Sequence, residues 1–507
     1  MRGREVKRIE SLGRRMEKTP YLQLLDRKLL TEIWEEALRV LEKVGVLVDH
    51  PEARELLLEA GGEVVARSGR IRIPPQLVER SLATAPRRIE IFDREGNPVA
   101  TLGSSPSVFN PGSAALTILD WATQRQRKPE TQDLISLAKA SEKLEHIAFQ
   151  STALIPGDVP PEISDRYRLA VALLFSRKPV VTGTFREDAF APMYEMLLAV
   201  RGGREELRNR PLAIFDCCPS PPLKWSHLTC QALLDCARTG VPAELVSMPL
   251  AGATAPVTLV GSLVQHTAET LSGVVIHQLA APGAPIIYGG SPAAVDLRTG
   301  TTPMGAIETM LLDVAYSEIG RSLGLPTHAY MGLSDAKLLD AQAGAEAALG
   351  AVLAALAGIS VISGPGMLDF ESCFSLEKLV LDNEFCGMAL RAAQGVQRRD
   401  AELARDLYGD ISRGDWFLTS ETTLRWFREE LFFPSRVIDR DTYENWVRAG
   451  RTSAGERAHA RLQELLEKPV AFLQDAKAQA VLQIVENEAE RYGCRSLPLR
   501  AKATGFV

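Results

Sequence analysis

No run of about 18 apolar residues occurs in the 507-residue chain, which argues against a membrane-spanning helix. Its opening stretch, MRGREVKRIESLGRRMEKTP, is charged throughout and lacks the apolar centre of a signal peptide. Seven cysteines, an odd number without framework spacing, speak against a disulfide scaffold and for reduced thiols in the cytoplasm. C-x-x-C and H-E-x-x-H are both missing, so no metal site is expected. Positive charge is not in excess: the net charge is −6, which sets aside nucleic acid and anionic lipid as partners. Also missing are the dinucleotide fingerprint G-x-G-x-x-G after the first strand, the phosphate loop G-x-x-x-x-G-K-[ST] and the nucleophile elbow G-x-S-x-G. These absences weaken an open nucleotide-binding sheet and a serine hydrolase.

What is present is a globular composition, 46% hydrophobic and 24% charged, long enough for one large domain with additions. Residues 1–105 read as an N-terminal α/β extension. Thr31 is expected to cap a helix through WEEALRVLEKVGV, where Trp34, Leu38, Leu41 and Val44 recur at helical spacing and Gly45 ends it. A second helix (HPEARELLLEAG), a short strand (RIRIPP), a third helix (QLVERSLATAP) and a hairpin turning near Glu95 to Asn97 follow. This region is expected to pack as a lid or a dock.

From residue 106 to 398 strand and helix patterns alternate. Strands are predicted over 113–119, 147–153, 179–183, 211–217, 243–249, 285–289, 326–330 and 359–363, with helix-length amphipathic segments between them. Eight β-α units over this length predict a TIM-type (β/α)8 barrel rather than an open doubly wound sheet. Strand ends carrying Asn110, Gln150, Thr182, Cys217, Met248, Tyr288, His328 and Ser363 would face one mouth. Residues 399–507 read as a helical C-terminal cap with ordinary mixed-charge faces.

Candidate chemistry concentrates in the loop after the seventh strand, MGLSDAKLLDAQAGAE, which gathers Asp335, Lys337, Asp340, Gln342 and Glu346. A helix starting near Asp340 sets Gln342 and Glu346 four apart on one face. The structural alternative makes Asp335 and Asp340 helix caps and Lys337 a solvated side chain. His328 and Tyr330 fall at the same rim, where a histidine is either a satisfied core residue or a functional one. Tyr288 is either packing or part of an aromatic wall suited to a cation. FNPGS (109–113) and PLAGATAP (249–256) are small-residue loops, either tight turns or places where a ligand nears the backbone.

With these residues in view, the sequence resembles the trimethylamine-corrinoid methyltransferase family. The resemblance runs from LTEIWEEALRVLEKVGVLVDHPEA through FDREGNPVATLG, FNPGSAALTILD and IIYGGSPAAVDLRTG to SDAKLLDAQAGAE and SLEKLVLDNEFCG, in the family's order. It implies a TIM-type barrel that moves a methyl group from a methylated amine to the Co(I) of a separate corrinoid protein. No cofactor is then bound tightly, and an assembly of identical subunits is expected. Trimethylamine-using members carry pyrrolysine; this sequence has only the twenty standard residues and so looks like the pyrrolysine-lacking, glycine betaine methyltransferase-like branch. On that footing the expected catalytic residues are His328, Asp335 and Glu346. Phe109, Tyr288 and Tyr330 would line the substrate, joined by Asn110, Lys337 and Gln342. His328 is the first candidate to hold a betaine carboxylate and Lys337 the second. HAYMGLSDAK and ISGPGMLDFESCF depart from the family pattern, and both fall on the expected substrate wall. Two alternatives stay open: a barrel enzyme with another methyl acceptor such as a folate, and a non-catalytic betaine-binding homologue.

Overall fold

The computed structural model describes residues 22–104, 106–400, 408, 417–469 and 471–503. Its fold is mixed α/β, centred on eight parallel strands: β1 (Val108–Asn110), β2 (Gln150–Ser151), β3 (Val180–Gly183), β4 (Ala213–Cys217), β5 (Ala243–Ser247), β6 (Ile286–Gly290), β7 (His328–Tyr330) and β8 (Val361–Ser363). Strands β2 to β6 form one sheet in chain order, and β7, β8 and β1 form another. Isolated parallel bridges, Tyr288 with Thr327 and Phe109 with Ile147, join the first sheet to the second at both edges.

Alternation along these strands decides what each face buries. One set of side chains, including Phe109, Phe215, Leu245, Tyr288, Ala329 and Ile362, belongs to the large core shared with the surrounding helices. The alternate set, including Val108, Val181, Ile214, Ile287 and Val361, packs in a separate cluster on the inner face.

Seven of the eight strand positions agree with the sequence reading. The first does not. Thr117–Asp120 pairs instead with Cys373–Phe374 and Arg125–Arg127 in a small separate sheet. The parallel strand is the three-residue Val108–Asn110, which ends where Pro111 removes a backbone donor. The apolar run SAALTIL was the longer signal, and length misled.

The first helix is Arg27–Lys43, and Asp26, not Thr31, caps it: the Asp26 side chain accepts from the Leu29 amide. Thr31 lies inside the helix, its hydroxyl donating to the Arg27 carbonyl. The hairpin forms as expected, Ile89–Phe92 against Pro98–Leu102, with the Asn97 amide donating to Asp93 in its turn. It sits at the amino ends of the parallel strands. Phe92 N donates to Pro211 O, Arg94 N to Arg177 O and Gly103 N to Ser360 Oγ, all just before parallel strands begin. Ile89, Ile91, Ala100 and Leu102 complete the inner-face cluster from below.

In the C-terminal region, Ala454–Glu467 packs on Leu376–Gln394, and Asp475–Arg491 packs on Phe190–Arg201 and Ser164–Phe175. Wholly buried Arg166 ties that last helix down through ion pairs with Glu488 (2.8 Å), Asp188 (2.7 Å) and Asp165 (3.2 Å). The helix expected over DAELARDL lies outside the described residues but for Asp400. Among the described residues no helix is long and apolar enough to cross a membrane.

Candidate functional site

Parallel register brings polar side chains together on the inner face, Asp216, Tyr330, Ser363 and Asn110 at or near the carboxyl ends of their strands and Glu244 and His328 nearer the amino ends of theirs. Asp216 on β4 is directly beside Glu244 on β5. On the other sheet Tyr330, Ser363 and Asn110 stand in one row, and His328 stands one layer lower beside Val361 and Val108. His328 links the two sides. Its Nδ1 lies 3.0 Å from Glu244 Oε1, and both side chains are 0% exposed. Its Nε2 lies 3.0 Å from Ser363 Oγ.

The direction of this chain of groups can be fixed from its far end. Asn110 Nδ2 donates to Pro111 O at 2.8 Å, and a carbonyl can only accept, so Asn110 Oδ1 is the atom turned to Ser363. The Ser363 hydroxyl donates to it at 3.0 Å. Having given its one proton away, Ser363 Oγ accepts from His328, which therefore carries its hydrogen on Nε2. Burial holds the imidazole down at about 3, so it is neutral.

Asp216 is partly exposed while Glu244 is not. Burial pushes both carboxyl groups up, and the charge of Asp216 raises Glu244 further. Tyr330 donates its hydroxyl to Asp216 Oδ2 at 3.2 Å. Arg168, on the helix Ser164–Phe175, is the neighbouring cation: it donates to Thr152 O at 2.6 Å and lies 4.4 Å over the Phe185 ring.

A second group of polar residues builds the rim. Asp335 accepts from the Met304 amide at 2.9 Å and the Gly305 amide at 2.8 Å. Glu346 accepts from Ser334 Oγ at 2.6 Å, the Asp335 amide at 2.8 Å and Gln342 Nε2 at 2.9 Å. Both carboxylates thus fasten loops, although desolvation still raises Asp335 to about 6. Asp340 caps the helix Ala341–Leu356 through the Ala343 amide. Lys337 is exposed, as the structural alternative had it, but it is also engaged. It donates to Asp335 O, pairs with Asp369 at 3.3 Å and lies 3.8 Å over the Phe370 ring.

That contact braces an unusual turn: Asp369, Phe370 and Glu371 have φ of 50°, 56° and 65°, three left-handed non-glycine residues in succession. Each costs about 1–3 kcal/mol, so the surroundings must impose the shape. It aims Glu371 inward, with Oε1 buried and without a hydrogen-bond partner. Desolvation, then the charges of Asp335 and Asp216, push this carboxyl up to about 8.

The structure brings His328, Tyr330 and Asn110 together and holds Asp335, Glu346, Lys337 and Gln342 at the rim. Phe109 and Tyr288 stand elsewhere. Both face the helix layer, where the Tyr288 hydroxyl donates to Thr267 and its ring packs near His266. They were placed one residue out of phase, the period-two error that sends a side chain to the opposite face. The same slip favoured Cys217 over Asp216. Glu244, Arg168 and Glu371 were also missed, and Ser363 was placed at a strand end without a role. The available signal was the charge itself: Asp216 in AIFDC and Glu244 in AELVS are carboxylates inside strands that are otherwise apolar.

Comparison with known proteins adds the family. The description "trimethylamine methyltransferase" matches residues 2–491. The chain belongs to the trimethylamine methyltransferase family. It is therefore an enzyme, a methyltransferase. Within this family it is 30% identical over 470 residues to trimethylamine methyltransferase MttB of Desulfitobacterium hafniense (strain DSM 10664 / DCB-2), covering 92% of this chain and 94% of that one. It is 31% identical to the Methanosarcina barkeri enzyme of the same name, covering 93% and 96%. Glycine betaine methyltransferase of D. hafniense (strain Y51) is 28% identical, covering 92% and 96%. The crystal structure of the M. barkeri monomethylamine methyltransferase shares the fold at a TM-score of 0.52 and 9% identity, covering 92% of this chain and 93% of that one.

Proposed function

We propose that the eight parallel strands form a closed (β/α)8 barrel, and that the enzyme moves a methyl group from a small N-methylated ammonium compound to the Co(I) of a corrinoid carried by a separate protein. The observation that carries this reading is the pair of adjacent carboxyl groups on the inner face, buried Glu244 and partly exposed Asp216. An ionised carboxylate there is costly unless a cation comes to it. An N-methyl cation is the complementary ligand. Tyr330 adds an aromatic face worth about 0.5–2 kcal/mol to such a cation.

Displacement at a methyl carbon by a metal nucleophile is an in-line attack, so this chain's residues have mainly to position the donor. The amine leaves neutral when the donor is quaternary and needs no acid to protonate it. Asp216 is the charge partner of the ammonium, and the His328–Ser363–Asn110 row holds the wall behind it. Asp335 and Glu346 act through the loops they fasten. A betaine carboxylate calls for a permanent cation, which Arg168 supplies and neutral His328 does not. Exposed Met248, Val257, Leu297 and Leu338, in the segments that follow strands β5 to β7, support a partner protein approaching from that end. All seven cysteines stand unpaired, in keeping with a reducing compartment such as the cytoplasm.

The test is to mix the purified protein with a Co(I)-corrinoid protein and a panel of trimethylammonium compounds, with and without carboxylates, and to follow methyl-Co(III) in the visible spectrum. Methyl-Co(III) is expected with at least one donor, and Asp216→Asn should lower kcat/KM by about 100-fold, the scale of losing a desolvated charge contact. Binding of donors without any methyl-Co(III) would instead support a homologue that no longer performs the transfer.

A further inference from the structure

The fixed direction of the Asn110–Ser363–His328 row has a consequence for Glu244. With hydrogen on Nε2, His328 presents a bare lone pair at Nδ1, and that lone pair faces Glu244 Oε1 at 3.0 Å. A carboxylate there sets two acceptors against each other in a buried place. A proton on Glu244 turns the contact into a hydrogen bond. Besides His328, the Asp216 carboxyl is within hydrogen-bonding reach of Glu244, and no other described donor serves either Glu244 oxygen or Asp216 Oδ1. Around the pair stand His328 and Tyr330 from β7, Arg168 from the helix Ser164–Phe175, Glu371 from its left-handed turn, Tyr316 from the helix Ile307–Ser322, and the thiols of Cys217 and Cys218. Arg168 is the one permanent cation among these, and its charge acts on Asp216.

We propose that the free enzyme stores a proton on Glu244, and that binding of an N-methyl cation beside Asp216 expels it and switches the tautomer of His328. This rests on the amine-binding reading above and deepens it. The protons balance. Before binding, Glu244 is a carboxylic acid donating to Nδ1, the imidazole hydrogen is on Nε2, and the Ser363 hydroxyl points to Asn110. After binding, Glu244 is a carboxylate, the imidazole hydrogen is on Nδ1 and points to it, and the Ser363 hydroxyl turns to Nε2. One proton has gone to solvent, and the ammonium has taken over its positive charge. Glu244 and His328 are thereby positioning residues that match the site's charge to its ligand.

The experiment titrates the whole protein with tetramethylammonium, and with each trimethylammonium compound of the panel, by calorimetry in two buffers of different ionisation enthalpy. Histidine-labelled protein is followed in parallel by nitrogen NMR. The expected result is a buffer-dependent heat equal to about one released proton, and an affinity that rises about tenfold per pH unit while Glu244 remains protonated. The His328 resonances should move from the Nε2–H to the Nδ1–H pattern. Glu244→Gln keeps a donor toward Nδ1 in the same shape, so it should bind without proton release and without the tautomer change. Clear binding by the unaltered protein with equal heats in both buffers and an unmoved His328 would overturn the inference alone. Absence of binding by every methylated amine would overturn the amine reading itself and this inference with it.

Discussion

Single side chains in this enzyme take their chemistry from their neighbours' directionality as much as from burial. Ser363→Ala removes the acceptor for His328 Nε2 and the donor to Asn110 Oδ1, leaving two buried polar atoms without partners. It should cost about 1–3 kcal/mol in chemical denaturation, more than a surface serine. Glu371 gives a pH signature. Its folded value of about 8 stands above the unfolded one of about 4.3, so its contribution to stability is complete below that lower value and is lost as pH climbs through 8. Glu371→Gln should therefore be stabilising at alkaline pH and near neutral in effect at about pH 4, which thermal melts of both proteins across that range will show. A variant whose melting point tracks that of the parent at every pH would contradict this assignment. Residue identity was partly readable beforehand. His328, Tyr330 and Asn110 stood at strand ends in the sequence, whereas the partners of His328 come from strands about 84 and 35 positions away and leave no local trace.

At the level of strands, helices and loops, the sequence spoke clearly wherever an apolar run was bounded by Pro or Gly. The strands beginning after Pro179, Pro285 and Pro326 formed close to where they were expected. Val108–Asn110 was missed because the longer apolar run SAALTIL beside it gave the stronger signal, and its extended shape comes from pairing with β8. Which residues of a strand face inward was harder still, since fully covered parallel strands are apolar on both faces. Two glycine and cap positions test this level. A Cβ on Gly289 of β6 would stand 2.7 Å from Leu245 O and 3.0 Å from His328 Nδ1. Gly289→Ala should thus push β5, β6 and His328 apart, losing about 1–3 kcal/mol and weakening amine binding measured by calorimetry. Asp340→Ala, by contrast, removes a helix cap outside the inner face. About 1 kcal/mol of stability should go while amine affinity is unchanged. If affinity fell with it, the division between rim scaffold and inner site would be wrong.

For the molecule as a whole, the N-terminal region is not a detachable lid. Its hairpin supplies Ile89, Ile91, Ala100 and Leu102 to the cluster that fills the floor, so the parallel strands are incomplete without it. Ile91, 0% exposed, should cost about 2–5 kcal/mol when replaced by Ala, comparable with a central core position, as a shift in the denaturation midpoint will report. The sequence foretold the hairpin but not its destination, because both of its faces had to be known before either could be assigned a partner. Its place in the chain also shapes how the protein is made. Gly103 finds Ser360 only after 257 further positions have been translated, about 10–50 s at ordinary ribosomal speed. During that interval the hairpin can meet Phe149, Val181 and Ile214 but not Ile287 or Val361, so part of its apolar face waits uncovered, the kind of surface that makes a nascent chain prone to wrong partners.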